Sequence, residues 1–439
     1  MTDLVENDNE LLDIIKREKE YHNTHLNLHP NENVMMNSAR EVLGSVLTNK
    51  YSEGYPGARY YTGTGIVDKI ETLCTERLKK FFHLEKSRYE WLFNVQCYSS
   101  TYARFAICMG SVEKMGRIIT FYCNENEKSA LEKYYQVEYF NMDDNYDGFN
   151  IQELRLKCEI LKPKLLVTSS MSMPKIIDFK SIHEICEEFG IIFAIDISEI
   201  AILISANRYG DENSNPFEYG DIIFSDTQSS IGGPKGGFII VNNTKNPGLF
   251  QKINMAVFPG IQGGPHNNQI GSLAVQLHGL MNSQISHFVQ EAVNNSKILA
   301  KTLLNNGVPL ICNGTDTHLV SINCSKELLP YELISEVLMK CGIRHSVNSF
   351  GKDRVSITFG TLIYTFRGGD NLKMEKIGNL ISKCVKLGAE LSKELGEKQK
   401  DQKTTYSLFE CKINECKRFE VISEELSEIV GSLRKLNLN

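Results

Sequence analysis

No apolar run in this 439-residue chain approaches the ~20 residues that a membrane-spanning helix requires, so a helical membrane protein is excluded. Basic excess is also missing. The formal net charge is -6, and neither nucleic acid nor an anionic membrane is an expected partner. There is no C-x-x-C pair. The 12 cysteines are scattered, Cys411 and Cys416 being the closest, which argues against a zinc site and for free thiols in a reducing compartment. The first residues, Met1 to Glu20, are acidic and rich in asparagine. They have neither the Arg-rich, acid-poor character of a mitochondrial presequence nor the apolar core of a signal peptide. The expectation is a cytoplasmic protein, with the mitochondrial matrix left open for a leader absent from or hidden in this chain.

What is present is an ordinary globular composition, 41% hydrophobic and 23% charged, in a chain long enough for a large and a small domain. Leu11, Ile14 and Ile15 share one face of an expected helix over residues 10–26. Pro30 then biases His29 toward extended backbone in the arm His29-Pro-Asn-Glu-Asn33. Residues 1–40 therefore read as an N-terminal helix and arm. Residues 41–285 read as a large α/β domain, and 286–439 as a smaller α+β domain with a linking helix. Strand-like runs alternate with helical ones: Trp91 to Gln96, Gly116 to Phe121, Lys162 to Thr168 and Ile191 to Ser198. Such alternation points to a mostly parallel sheet. Asp196 falls at the C-terminal end of one strand, where open α/β sheets bind ligands. A helix cap explains it equally well. Ser99, Ser100 and Thr101 open a helix, which suits an anion or a plain N-cap.

Two stretches are dense in turn residues. One is Asn49-Lys-Tyr-Ser-Glu-Gly-Tyr-Pro-Gly-Ala-Arg-Tyr-Tyr-Thr-Gly63, and the other is Ala256-Val-Phe-Pro-Gly-Ile-Gln-Gly-Gly-Pro-His-Asn267. Neither continues a helix, and tyrosines at this density suit a subunit interface or a ligand mouth. A third stretch, Phe224-Ser-Asp-Thr-Gln-Ser-Ser-Ile-Gly-Gly-Pro-Lys-Gly-Gly237, sets a polar turn between two apolar strands. Together, in this order, the three resemble the serine hydroxymethyltransferases. That family reads Thr-Thr-Thr-His-Lys-Thr-Leu-Arg-Gly-Pro-Arg-Gly-Gly at the third stretch. Anchored on Gly233-Pro234, its Schiff-base lysine falls on Ser229 and the preceding histidine on Gln228.

The resemblance implies a fold type I (aminotransferase-like) pyridoxal-phosphate subunit in a homodimer or tetramer. It implies that Ser99, Ser100, Thr101, Asp196 and Lys235 belong to the chain's own cofactor site, with Asp196 toward the pyridine nitrogen. Glu32 matches the family's acid–base glutamate. Tyr51, Glu53, Tyr61, Gly263 and Gly264 would reach the neighbouring subunit's site: Tyr51 and the two glycines toward the cofactor phosphate, Glu53 and Tyr61 toward substrate. Other family positions are altered. Asn31 replaces a serine, Arg104 an asparagine, Met171 a serine, and Glu199 a histidine; Thr358 replaces the arginine that clamps the substrate carboxylate. Lys128 stands where the family has a ring-stacking histidine, in a run, Asn124 to Ser129, without the family's glycines.

The family reaction moves a hydroxymethyl group from serine to tetrahydrofolate. A serine hydroxyl forms no imine, and without the arginine the substrate loses its two-point clamp. The altered positions are mostly those of the own site; those offered to a neighbour are mostly kept. Two readings follow. In one, the chain is an inactive, regulatory or complementing subunit, forming a hetero-oligomer with an active paralogue and holding pyridoxal phosphate weakly or without a covalent bond. In the other, it is a pyridoxal-phosphate enzyme of altered chemistry with a relocated lysine, Lys128 being the candidate.

Overall fold

The computed structural model describes residues 8–121, 131–143, 148–170, 172–324, 329–349, 355–396 and 417–436. Lys128 and Met171 lie outside the described residues. The chain divides into two compact units. One comprises Asn31–Gln290 with Ser349–Lys352; the other comprises Met1–Pro30, Glu291–Asn348 and Asp353–Asn439.

The larger unit is built on a seven-stranded sheet. Its spatial order is Trp91–Cys97, Gly237–Asn242, Ile222–Asp226, Ile192–Asp196, Leu165–Ser169, Arg117–Phe121 and Gln136–Phe140. Only Gly237–Asn242 runs against its neighbours. The central strands are near-continuous apolar runs because helices cover both faces and no alternating polar face is needed. All five residues of Ile222–Asp226 and all six of Gly237–Asn242 are buried. Ile107, Ile118, Val167, Ala194, Phe224 and Ile253 belong to one continuous core beneath the helix Ser100–Ser111.

Helix boundaries follow capping chemistry. Phe179–Phe189 begins where the Asp178 side chain accepts from the Ser181 amide, and it ends at Gly190 in the left-handed conformation. Ser100–Ser111 begins where Ser99 Oγ accepts from the Tyr102 amide at 3.3 Å.

The smaller unit packs the helices Ile285–Asn305 (from residue 291), Tyr331–Lys340 and Asn371–Gly396 on the sheet Leu319–Asn323, Val355–Gly360 and Ser346–Ser349. Arg367 is fully buried there without a carboxylate partner. It donates to the carbonyls of His22, Asn23, His25 and Arg434 and so ties the N-terminal helix Asn9–Thr24 to the chain's C-terminal end. In that N-terminal helix the buried residue is Leu12, whereas Leu11, Ile14 and Ile15 are exposed.

Candidate active site

Parallel strands end on one edge of the sheet, and ligand clefts of open α/β proteins form at that edge. Ser169, Asp196 and Asp226 each close such a strand. With Asn31, Ser100, Thr101, Arg104, Ser170, Ser198, Glu199, Gln228 and Ser229 they line a cleft of about 200 Å³. Of the own-site residues expected from sequence, Ser100, Thr101, Asp196 and Ser229 meet there. Ser99 is adjacent, its hydroxyl committed to the helix cap. Glu32 is half-buried in the arm beside Asn33, whose amide donates to the Ser230 carbonyl at 2.9 Å. Lys235 is exposed and lines a different crevice with Gln96, Tyr98 and His266.

Turn chemistry positions Ser229. The Gly233 amide donates to the Thr227 carbonyl at 2.8 Å, and the Gly232 amide to that of Gln228 at 3.0 Å. Ser230 Oγ donates to the Ser198 carbonyl at 2.7 Å. Gly237 lets the returning strand pass the helix start, since a Cβ there would lie 2.7 Å from the Ser99 carbonyl oxygen. Within this turn Ser229 Oγ donates to Asp226 Oδ2 at 2.5 Å, and its amide donates to Asp226 Oδ1 at 3.0 Å. Gln228 Nε2 adds a third bond to Oδ2 at 3.0 Å. Asp226 had no role in the sequence reading. The legible signal is a carboxylate in an otherwise hydroxyl-bearing run, two residues past the apolar Ile222, Ile223 and Phe224.

The charges in the cleft do not balance. Arg104 Nη2 lies 3.2 Å from Asp196 Oδ2, while Ser198 donates its amide and hydroxyl to Oδ1 at 3.0 and 2.6 Å. Burial pushes the Asp196 carboxyl up; Arg104 and Ser198 pull it back down. Glu199 accepts the Ser172 amide at 2.5 Å on Oε2, and its Oε1 is buried without a partner. Burial raises Glu199 to about 8 and Asp226 to about 7. Among the described residues no cation lowers either one.

The residues expected to face a neighbour form a second cluster in the same unit. Glu53 accepts from Tyr51 at 3.0 Å and from Tyr61 at 3.1 Å. The two rings meet edge-on with centroids 5.5 Å apart, and they are 58% and 49% exposed. Those bonds raise the pKa of both phenols above the usual tyrosine range. Gly264 sits under Tyr51, where a Cβ would come within 3.1 Å of the ring, and Gly263 lies beside Glu53. Tyr98 donates to the Gly264 carbonyl at 2.8 Å and stacks on His266 at 4.2 Å. Beneath the loop Arg59 bonds Asp68 at 2.8 Å and Glu71 at 2.7 Å, and it donates to the Ser52 and Gly54 carbonyls. Sequence reasoning gave Arg59 no part. An arginine inside a turn-rich run is its only signal.

Comparison with known proteins decides the family. The family model described as serine hydroxymethyltransferase matches residues 4–381. The chain belongs to the serine hydroxymethyltransferase family. It is 32% identical to a serine hydroxymethyltransferase of Plasmodium falciparum over 90% of this chain and 92% of the relative. It is 30% identical to a mitochondrial serine hydroxymethyltransferase of Saccharomyces cerevisiae over 97% and 91%. A protein of Schizosaccharomyces pombe described as a probable cytosolic serine hydroxymethyltransferase is also 30% identical, over 90% and 89%. The seven-stranded sheet is that of the family's fold type I. The family is pyridoxal-phosphate-dependent, uses tetrahydrofolate as a substrate, and is typically oligomeric. No helix among the described residues is long and apolar enough to cross a membrane.

Pyridoxal phosphate presents a phosphate, a ring nitrogen and an aldehyde. The N-terminus of Ser100–Ser111, with Thr101, suits the first, since the opening amides of a helix have no intrahelical acceptor. Asp196 keeps a lone pair for the second. The aldehyde does not fit: among the described lining residues there is no amine, and Ser229, bonded to Asp226, stands where the sequence resemblance would place the lysine.

Proposed function

We propose that this chain is a non-catalytic member of serine–glycine one-carbon metabolism that completes the site of an active relative in a mixed oligomer. The observation carrying this reading is the bond between Ser229 and Asp226, which gives the lysine position a buried hydroxyl–carboxylate pair instead of a nucleophilic amine. Serine cleavage to glycine with tetrahydrofolate as acceptor needs that amine. Thr358 supports the same conclusion. The residue in the position of the carboxylate clamp is uncharged and bonded to Ser321 at 2.9 Å.

The cluster offered outward supports the complementing role. Glu53 is an ordered carboxylate with two phenol donors, flanked by backbone at Gly263 and Gly264. Held at a neighbour's site, Tyr51 and the glycine amides bind phosphate. Glu53 and Tyr61 hold and move a proton near substrate. The altered-enzyme reading requires an amine in the cleft, and Lys235 lines another crevice.

The test is co-expression with an active paralogue carrying alanine at its counterpart of Glu53. Mixed oligomers regain serine cleavage through Glu53 of this chain, and Glu53→Ala in this chain abolishes the gain. Mixed oligomers that form and stay inactive leave only a structural role.

A further inference from the structure

With Glu199 and Asp226 ionised, the unmet hydrogen-bonding capacity of the cleft is mostly acceptor. Glu199 is 3% exposed, yet its Oε1 has no partner, and Gln228 Oε1 is buried and likewise unpaired. Asp226 Oδ1 takes the Ser229 amide, and a carboxylate oxygen has room for about two donors. These groups belong to one wall of the cleft, where the family run quoted above has threonine at 226 and histidine at 228. Arg104 is paired with Asp196, and among the described residues no cation pairs with Glu199 or Asp226. The opposite polarity is supplied by the N-terminus of Ser100–Ser111, where amides and the helix dipole favour an anion. Once ionised, Glu199 and Asp226 are acceptors throughout, and an aldehyde, itself an acceptor, brings that form no donor; it can meet only their neutral form. A primary ammonium brings three donors and the missing charge.

We propose that this cleft selects the amine form of the family cofactor, pyridoxamine phosphate, over the aldehyde form. Its phosphate lies with Ser100 and Thr101, and its ammonium with Glu199, Asp226 and Gln228. The chain has replaced its own lysine ammonium with acceptors for an ammonium carried by the ligand. Binding draws Glu199 and Asp226 into their ionised forms beside Arg104 and Asp196, so protons are released to solvent. The inference rests on the reading that Ser229 leaves the cleft without an amine. The mixed-oligomer assay reads the partner's site, so the two fail separately.

The test is isothermal titration calorimetry on the full chain with pyridoxamine phosphate, pyridoxal phosphate, glycine and inorganic phosphate in turn. Pyridoxamine phosphate should bind at least about tenfold more tightly than pyridoxal phosphate, and its heat should vary with the ionisation enthalpy of the buffer as protons leave. Asp226→Thr and Glu199→Gln should bring the ratio of the two affinities close to one. Equal or tighter binding of pyridoxal phosphate overturns the proposal, as does no binding of either. Glycine binding as tightly would assign the wall to a free amino acid, and phosphate binding as tightly would reduce the site to an anion hole; both overturn it. If the variants do not fold, the wild-type titration decides: binding without proton release overturns it.

Discussion

Thr358 and Ser321 face each other across antiparallel strands with their hydroxyl oxygens 2.9 Å apart, and Ser356 Oγ closes the row at 3.3 Å from Thr358. The row is fully buried. Where the sequence resemblance would place the carboxylate clamp, the sheet thus carries hydroxyls that bond one another.

Repair should therefore be strongly non-additive. Ser229→Lys alone is expected to restore little serine cleavage, because Thr358 binds no carboxylate. Thr358→Arg alone should lower stability by roughly 2–4 kcal/mol, since it buries a charge beside hydroxyls. Combined kinetics on the single and double variants check this. Near-normal turnover from Ser229→Lys alone would show that the arginine is dispensable.

Cofactor trapping gives a second test. Borohydride treatment in the presence of pyridoxal phosphate should leave no stable lysine adduct at Lys235, which is exposed and outside the cleft. Peptide mapping of the treated protein reads this. An adduct at Lys128 would revive the altered-enzyme reading.

The buried carboxyls predict a pH dependence. Asp226, raised to about 7, and Glu199, raised to about 8, remain protonated in the folded chain where the unfolded chain has ionised. Their favourable contribution is complete below the ordinary carboxylate pKa and is lost as pH rises through 7 and 8. The groups beside them are Arg104, Asp196, Ser172, Gln228 and Ser229. Thermal unfolding should shift to lower temperature between pH 6 and 9, the total being on the order of a few kcal/mol. Asp226→Asn and Glu199→Gln should each flatten the profile; a flat wild-type profile contradicts it.

Arg59 is the point at which the outward-facing loop should be most sensitive. Arg59→Ala strands Glu71, which Gln96 alone then holds, and should cost about 3–5 kcal/mol. Arg59→Lys keeps the charge but loses the fork, so it should recover only part. Chemical denaturation of both variants against wild type measures the difference.

Much of the fold was legible because the central strands are unbroken apolar runs and the turns carry distinctive glycine and proline. Strand ends such as Asp196 and the helix opening at Ser99 could be placed from pattern alone. Asp226 and Arg59 were not legible, because a carboxylate in a turn and an arginine in a loop are usually solvated. Their roles depend on which side chains the sheet edge brings near them, and spacing along the chain does not encode that. The exposed face of Leu11, Ile14 and Ile15 shows the opposite: the helical period was readable, but the register chose Leu12 for burial.

The Arg59 clamp bears on how partners meet. Its bonds to Asp68, Glu71 and two loop carbonyls fix Tyr51, Glu53 and Tyr61 within the single chain. The entropy of ordering that loop is lost during folding, before any encounter. In the proposed mixed oligomer an arriving subunit would meet a finished surface with no loop to organise, so affinity would not be reduced by a rarely populated competent state. Loosening the clamp should therefore slow association even where the assembled contacts are unchanged.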